Sequence, residues 1–115
     1  MLCYKDSELY GQLQKCTHRM QAIVFAFNGF CELYLQRCPV ITSVFRKNPE
    51  PPALPSLHAR WRAVDIRAKD WTNEDISAIE SFINNIFKGK KPACYVHQTD
   101  IANRDTLHFH LQDVS

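Results

Sequence analysis

The sequence lacks any hydrophobic run long enough to cross a membrane. The longest apolar stretch of its N-terminal third, residues 22–27, is far shorter than the roughly 20 residues that span a bilayer. Residues 1–6 also lack the basic start, apolar centre and small-residue cleavage site of a secretory signal. We therefore expect no transmembrane helix and a chain that is made in the cytoplasm without a signal peptide.

The chain also lacks a large net charge, since 14 Lys and Arg residues against 12 Asp and Glu residues leave a formal charge of only +2. The basic residues form only short clusters, so we expect neither a nucleic-acid partner nor a membrane partner. These clusters are Arg60, Arg62 and Arg67, and Lys88, Lys90 and Lys91.

The cysteines include no CxxC pair, which argues against a cysteine zinc knuckle. Because they are odd in number and scattered, a disulfide framework is not indicated either. We expect reduced thiols that mostly fill the core. They are Cys3, Cys16, Cys31, Cys38 and Cys94.

The length of 115 residues and the 45% of hydrophobic residues predict one compact domain, 1–115, expected to be a monomer. Its N-terminal part, 1–37, carries a helical stripe of apolar residues from Leu9 to Tyr34 at steps of three and four. A single helix of that length would reach about 39 Å, so we expect two packed helices with a break at Asn28-Gly29. A coiled-coil partner helix could produce the same stripe.

The second part, 38–115, is predicted to hold the strands. Residues 39–45 are rich in β-branched side chains, whereas residues 47–56 contain four of the six prolines and indicate a surface loop. A helix with Thr72 as N-cap is expected after a short buried strand at 63–66. Two further strand candidates are residues 94–97 and 106–111. Helices followed by strands around one helix predict an α+β domain.

Two histidines lie two residues apart on the last predicted strand. His108 and His110 then project from the same face, with side-chain origins roughly 6 to 7 Å apart. Leu107, Phe109 and Leu111 would occupy the opposite face, which suits a sheet that packs on helices. Both histidines can therefore address one site.

A loop histidine and a strand aspartate complete a candidate metal site. A catalytic zinc site takes three protein ligands and leaves a fourth position open, and His58 and Asp65 could converge on such an ion. Asp65 lies between Val64 and Ile66, however, and could equally be a buried carboxylate bonded to backbone or to arginine. The residue types alone leave both interpretations open.

Three separated motifs resemble a known group of zinc proteins. Ser56-Leu-His58 and Ala63-Val-Asp65 match an SxH…AxD signature, and His108-Phe-His110 resembles the closing HxH. The group comprises the D-alanyl-D-alanine metallopeptidases, the lysostaphin-type endopeptidases and the hedgehog signalling domain. Residues 41–46, which end in an arginine, are similar to the strand before the first ligand in the carboxypeptidase branch. The resemblance covers residues 41–112.

This resemblance implies a role for each matching residue. His58, Asp65 and His110 would bind zinc, and His108 would act beside the metal as a catalytic base or transition-state stabiliser. Arg46 would bind the substrate carboxylate or the developing oxyanion. His97 would be a second active-site histidine. From the residues alone, Arg46 could instead pair with a carboxylate, and His97 could be an ordinary half-buried histidine.

Two positions depart from the family pattern. The carboxypeptidase branch has a glutamate three residues before the last ligand, where this chain has Leu107. His108 and His97 are the candidates for the missing base, with Asp105 a weaker one. Trp61 replaces a glycine that is usual between the SxH and AxD elements, so the loop there must pack differently.

The resemblance implies a small antiparallel sheet with helices on one side, and zinc-dependent hydrolysis of a peptide bond in bacterial peptidoglycan. The partner would be a stem or cross-bridge peptide. The enzyme would act on the cell wall after lysis-type delivery, or as a virion component of a bacteriophage. The alternative is a zinc-containing binding module of the same fold that has lost turnover. Two His and one Asp would also accept other divalent metals.

Overall fold

The computed structural model describes residues 1–47 and 56–114. It contains three α-helices: α1 (Glu8–Gln14), α2 (His18–Phe30) and α3 (Asn73–Ile86). Helix α2 continues into one π-helical turn, Cys31–Leu35. No helix among the described residues is both long and apolar enough to cross a membrane. The predicted proline-rich loop lies, from residue 48 to residue 55, outside the described residues.

Five strands form one mixed sheet. Numbered along the chain, they begin at Cys3 (β1), Val40 (β2), Ala63 (β3), Cys94 (β4) and Leu107 (β5), and they lie in the sheet in the order β1-β2-β3-β5-β4. The α+β class is thus confirmed, but the expectation of an antiparallel sheet is wrong at one edge, where β1 and β2 run parallel. Parallel neighbours need a long crossover, and α1 and α2 supply it. The strands are β1 (Cys3–Tyr4), β2 (Val40–Ser43), β3 (Ala63–Arg67), β4 (Cys94–Gln98) and β5 (Leu107–Gln112).

The N-terminal helical region does break into two helices, but not at the predicted place. Asn28 and Gly29 lie inside α2, and the break falls at Lys15–Thr17 instead. Thr17 caps α2 by accepting a hydrogen bond from the Met20 N–H at 3.1 Å. Its hydroxyl also donates to Asp113 Oδ2 at 2.6 Å, so a distant residue strengthens this helix start.

One face of the sheet packs against the helices. Ile66 pairs with Phe109 and Val64 pairs with Leu111 across β3 and β5, and all four side chains are fully buried. The Phe109 ring lies 5.1 Å from the ring of Phe27 on α2. Burial of each such side chain contributes about 1.5 to 3 kcal/mol. The alternation of β5 therefore turns His108 and His110 to the face away from the helices, as predicted.

Helix α3 forms where its cap predicts. Thr72 Oγ1 accepts a hydrogen bond from the Asp75 N–H at 3.1 Å, and acidic residues occupy the first turn. The side chain of Asn84 then bonds both the carbonyl and the N–H of Cys94, at 2.8 and 2.9 Å. These bonds tie α3 to the start of β4, which places β4 beside β5.

Candidate metal centre

Strand register brings the chemically active residues into one area. Asp65 on β3 lies directly opposite His110 on β5, and Arg67 lies opposite His108. Residues directly opposite each other in a sheet project from the same face, so these four share the face away from the helices. Their close approach depends on the register of β3 and β5, which residue spacing along the chain does not predict.

His58 enters the same area from a tight turn before β3. The Arg62 N–H donates to the Leu57 carbonyl at 2.9 Å, and Trp61 closes the turn with φ of 60°. That conformation favours glycine and is strained for a tryptophan. It occurs at the position where the resembling family has glycine. The Trp61 ring stacks on Phe45 at a centroid distance of 4.6 Å, which helps to hold the turn.

Three ligand atoms converge at the end of this turn. Asp65 Oδ1 lies 3.3 Å from His58 Nε2 and 3.2 Å from His110 Nδ1. Neighbouring ligands of a tetrahedral zinc ion, with bonds of about 2.0 to 2.1 Å, lie about 3.3 Å apart. His58, Asp65 and His110 therefore form a group that can hold a metal ion, and we call it the candidate metal centre.

Hydrogen bonds behind the two histidines determine which ring nitrogen faces the centre. His58 Nδ1 donates to the Val44 carbonyl at 2.7 Å, so the lone pair of Nε2 points toward Asp65. His110 Nε2 lies 3.1 Å from Gln112 Oε1, which can only accept, so the tautomer that uses this bond has its lone pair on Nδ1. Such outer hydrogen bonds orient metal-binding histidines and make them more basic.

Gln112 can accept this hydrogen bond because its own amide is held in place. Its Nε2 donates to the Pro92 carbonyl at 2.8 Å, so Oε1 must face His110. The side chain is buried, with 6% of its surface exposed. Sequence reasoning did not assign Gln112 a role, although its position two residues after His110 places it on the same strand face.

Arg46 lies against the centre itself. Its Nη2 forms a short ion pair with Asp65 Oδ2 and lies 2.6 Å from His58 Nε2. The alternative interpretation of Asp65, a buried carboxylate bonded to arginine, is thus also confirmed. A metal ion would compete with Arg46 for the lone pair of His58, but not for Oδ2. Because 55% of the Arg46 side chain is exposed, it has room to turn outward while keeping Asp65.

The carboxyl group of Asp65 is strongly biased toward its ionised form. Burial by itself raises its pKa, but the contacts of the carboxylate with His110 and His58 and the positive charge of Arg46 outweigh burial. The pKa of Asp65 therefore lies far below its ordinary value. An ionised carboxylate between two imidazole rings is a donor set that suits a divalent cation.

His108 lies next to the candidate metal centre without belonging to it. Its Nδ1 donates to the Thr106 carbonyl at 3.0 Å, which leaves Nε2 as the proton-accepting nitrogen. This Nε2 is 3.9 Å from Asp65 Oδ1. His97 is exposed on β4, and its ring centroid is 5.4 Å from that of His108. The structure thus places His97 one strand further from Asp65 than His108, the other predicted base.

Comparisons with protein-family models, curated proteins and solved structures find no match for this chain. The function of the centre must therefore be argued from its own geometry.

Tyr95 is a further residue that sequence reasoning did not single out. It lies opposite His110 in the register of β4 and β5, and the two rings are 4.9 Å apart. Burial, and secondarily the charge of Asp65, raises the pKa of Tyr95, so its hydroxyl stays protonated as a hydrogen-bond donor. Its alternation with His97 on β4 is the signal that could have identified it.

An open pocket lies beside the candidate metal centre and is lined by Asp65 and His108. The positively charged residues Lys5, Arg67 and Lys69 line the same pocket. Asp105 also contributes to the wall. Leu107, which stands where the resembling carboxypeptidases have glutamate, is 8% exposed and belongs to the hydrophobic core.

Proposed function

We propose that the chain is a zinc-dependent peptidase that hydrolyses a peptide bond in bacterial peptidoglycan. The observation that carries this proposal is a group of three metal-ligand residues with His108 Nε2 3.9 Å from Asp65 Oδ1, beside a pocket that Asp65 and His108 line. A structural zinc site normally has four protein ligands, whereas a catalytic site has three and an accessible fourth position. The metal-ligand group among the described residues has three.

The residues around the centre divide the chemistry between them. A bound zinc ion would acidify water and polarise the scissile carbonyl. His108 accepts a proton at Nε2 and returns it to the leaving amine, as a histidine does near neutral pH. Arg46, which pairs with Asp65, and Tyr95, whose ring lies beside His110, are the candidates to stabilise negative charge that develops on the carbonyl oxygen. Arg46 must turn from His58 to do so.

The charge of the pocket supports a peptide substrate that carries carboxylates. Lys5, Arg67 and Lys69 give the pocket a positive wall, which attracts such groups and orients them. Stem peptides of peptidoglycan carry free carboxylates. Asp105 lies in the same wall and is the acidic residue available as an alternative base to His108.

Two observations favour a second candidate, a zinc-containing binding module without turnover. The position that carries the glutamate base in the resembling carboxypeptidases is occupied by the buried Leu107. Arg46 also bonds two of the ligand residues, an arrangement that stabilises the centre without chemistry. Metal content and turnover together separate the two functions.

The test compares zinc content and hydrolysis of purified peptidoglycan in the zinc-loaded protein and three histidine-to-alanine variants. His110→Ala should lose both metal and turnover. His108→Ala should keep stoichiometric zinc but lose about 10² to 10⁴ in rate, the usual contribution of general acid–base catalysis. His18→Ala removes an exposed histidine of α2 and serves as the matched control.

Each outcome has a distinct meaning. Zinc without turnover in the parent protein would establish the binding module instead of the peptidase. An absence of zinc binding in the folded parent protein would refute both functions. Equal rates for His108→Ala and His18→Ala would remove His108 from the mechanism and leave His97, and then Asp105, as the base to be tested.

A further inference from the structure

Basic residues from two separate parts of the sequence line one groove. Arg60 and Arg62 come from the turn after His58, and Lys90 and Lys91 come from the segment between α3 and β4. An adjoining pocket shares Lys91 and adds further cations. We call the combined surface the basic groove. Its cations are Arg19, Arg60, Arg62, Lys88, Lys90 and Lys91.

The basic groove holds a large share of the positively charged residues of the chain. It holds six of the 14 Lys and Arg residues of a chain whose net charge is only +2. Among the described residues, the carboxylate in its wall is that of Asp113, which is buried and lies 3.6 Å from Arg19. Asp113 also accepts the Thr17 hydroxyl bond. Arg19 forms an ion pair with Asp113. The other five cations of the groove have no ion-pair partner among the described residues.

Helix stabilisation does not account for these lysines. Lys88, Lys90 and Lys91 follow the end of α3, and the last turn of that helix contains no basic residue. The helix dipole acts mainly within the last turn, so it contributes little to residues beyond it. Gathering like charges disfavours the folded state unless an anion compensates them. The arrangement therefore indicates a ligand with several negative charges.

We propose that the basic groove binds a phosphodiester polymer, the type of anionic chain that is attached to peptidoglycan in many cell walls. Arginine forks bind phosphate oxygens in pairs, and neighbouring lysines can follow a repeating charge. The biological setting of this ligand rests on the proposed function, whereas the binding itself does not. Polymer binding would hold the peptidase at the wall through cations that are not ligands of the candidate metal centre.

Other polyanions fit the groove less well. Single-stranded nucleic acid is normally held by stacking of its bases on aromatic rings. The aromatic ring beside the groove, Phe87, is covered by the Arg19 guanidinium at 5.5 Å. A membrane surface would require exposed apolar side chains next to the cations. The most exposed large apolar residues, Ile101 and Leu33, do not line either pocket of the groove.

The test measures binding of poly(glycerol phosphate) at several salt concentrations. The groove variant is Lys90→Gln/Lys91→Gln, and its control, Lys15→Gln/Lys47→Gln, removes the same charge from exposed positions that line neither the groove nor the pocket beside the candidate metal centre. We expect the groove variant to bind about tenfold more weakly, and the slope of log affinity against log salt to fall by about one to two. The control should bind like the parent protein.

Three results would overturn the proposal: no binding by the parent protein, equal weakening in both double variants, or tighter binding of single-stranded DNA or phosphatidylglycerol vesicles than of the polymer. Equal weakening would show attraction by overall charge rather than by the groove. His110→Ala must still bind the polymer, since it changes only the metal centre. A failure of the peptidase proposal would thus be distinguishable from a failure of this one.

Discussion

Replacing Gln112 by leucine is expected to weaken zinc binding while leaving the fold intact. The wild-type amide accepts from His110 Nε2 at 3.1 Å and so keeps the lone pair on Nδ1, toward the centre. Leucine has a similar volume but no acceptor. The His110 ring would then gain more by placing its proton on Nδ1 and donating it to Asp65 Oδ1, 3.2 Å away. That proton blocks the nitrogen that must bind the metal.

The size of this effect follows from one buried hydrogen bond. A hydrogen bond of this kind contributes about 1 kcal/mol, and the Pro92 carbonyl also loses its donor at 2.8 Å. Loss of an outer partner of a metal-binding histidine usually costs about 10- to 100-fold in metal affinity, or about 1.4 to 2.7 kcal/mol. We therefore expect zinc affinity to fall within this range.

The assay is competition for zinc with a chromophoric chelator, combined with ¹⁵N NMR of the histidine rings in the metal-free protein. His110 should be protonated on Nε2 in the parent protein and shift toward Nδ1 in Gln112→Leu. Gln112→Glu keeps an acceptor for His110 and should restore much of the affinity. Gln98→Leu makes the same change near the end of β4 and is the matched control.

Zinc affinity within about twofold of the parent in a folded Gln112→Leu protein would contradict this prediction, since a loss of at least about 10-fold is expected. An unchanged His110 tautomer would refute it as well.

Two other predictions concern the turn and the thiols. Trp61→Gly should be about 1 kcal/mol more stable to urea than Trp61→Ala, because both lose the indole but only glycine tolerates φ of 60° without strain; equal stabilities would show that the turn is unstrained. Burial raises the pKa of Cys16 to about 11 and that of Cys31 to about 12, so a thiol reagent at pH 8 should label the exposed Cys38 well before either. These raised values stabilise the fold fully below the unfolded thiol pKa of about 8.5, and that contribution is lost as pH rises toward 11 or 12. Labelling of Cys16 without unfolding would contradict the burial.

Local patterns predicted the elements whose causes are themselves local. The alternation of residues 106–111 predicted both β5 and the face on which His108 and His110 lie, because side chains alternate along any strand. The cap at Thr72 predicted the start of α3 for the same kind of reason, since a cap depends on residues three positions apart. Such features need no knowledge of distant contacts.

Where local patterns failed, a distant residue decided. The break between α1 and α2 lies at Thr17 rather than at Asn28-Gly29, and the Thr17 hydroxyl donates to Asp113 near the other end of the chain. The two-residue strand β1 exists because it can pair with β2, as in the 2.8 Å bond from the Cys3 N–H to the Pro39 carbonyl. Two residues are too few to carry a strand pattern of their own.

Residue types and strand alternation identify the side chains that can bind a metal and the strand face that presents them. Register and packing decide that Arg46 bonds two of these residues, that Val44 and Gln112 contact the outer ring nitrogens of the two histidines, and that Arg60 and Arg62 share a groove with Lys90 and Lys91. The physical reason is that these contacts join residues whose distance depends on strand register and on the packing of the sheet against α2 and α3. Periodicity reports the direction of a side chain, whereas register and packing decide what it meets.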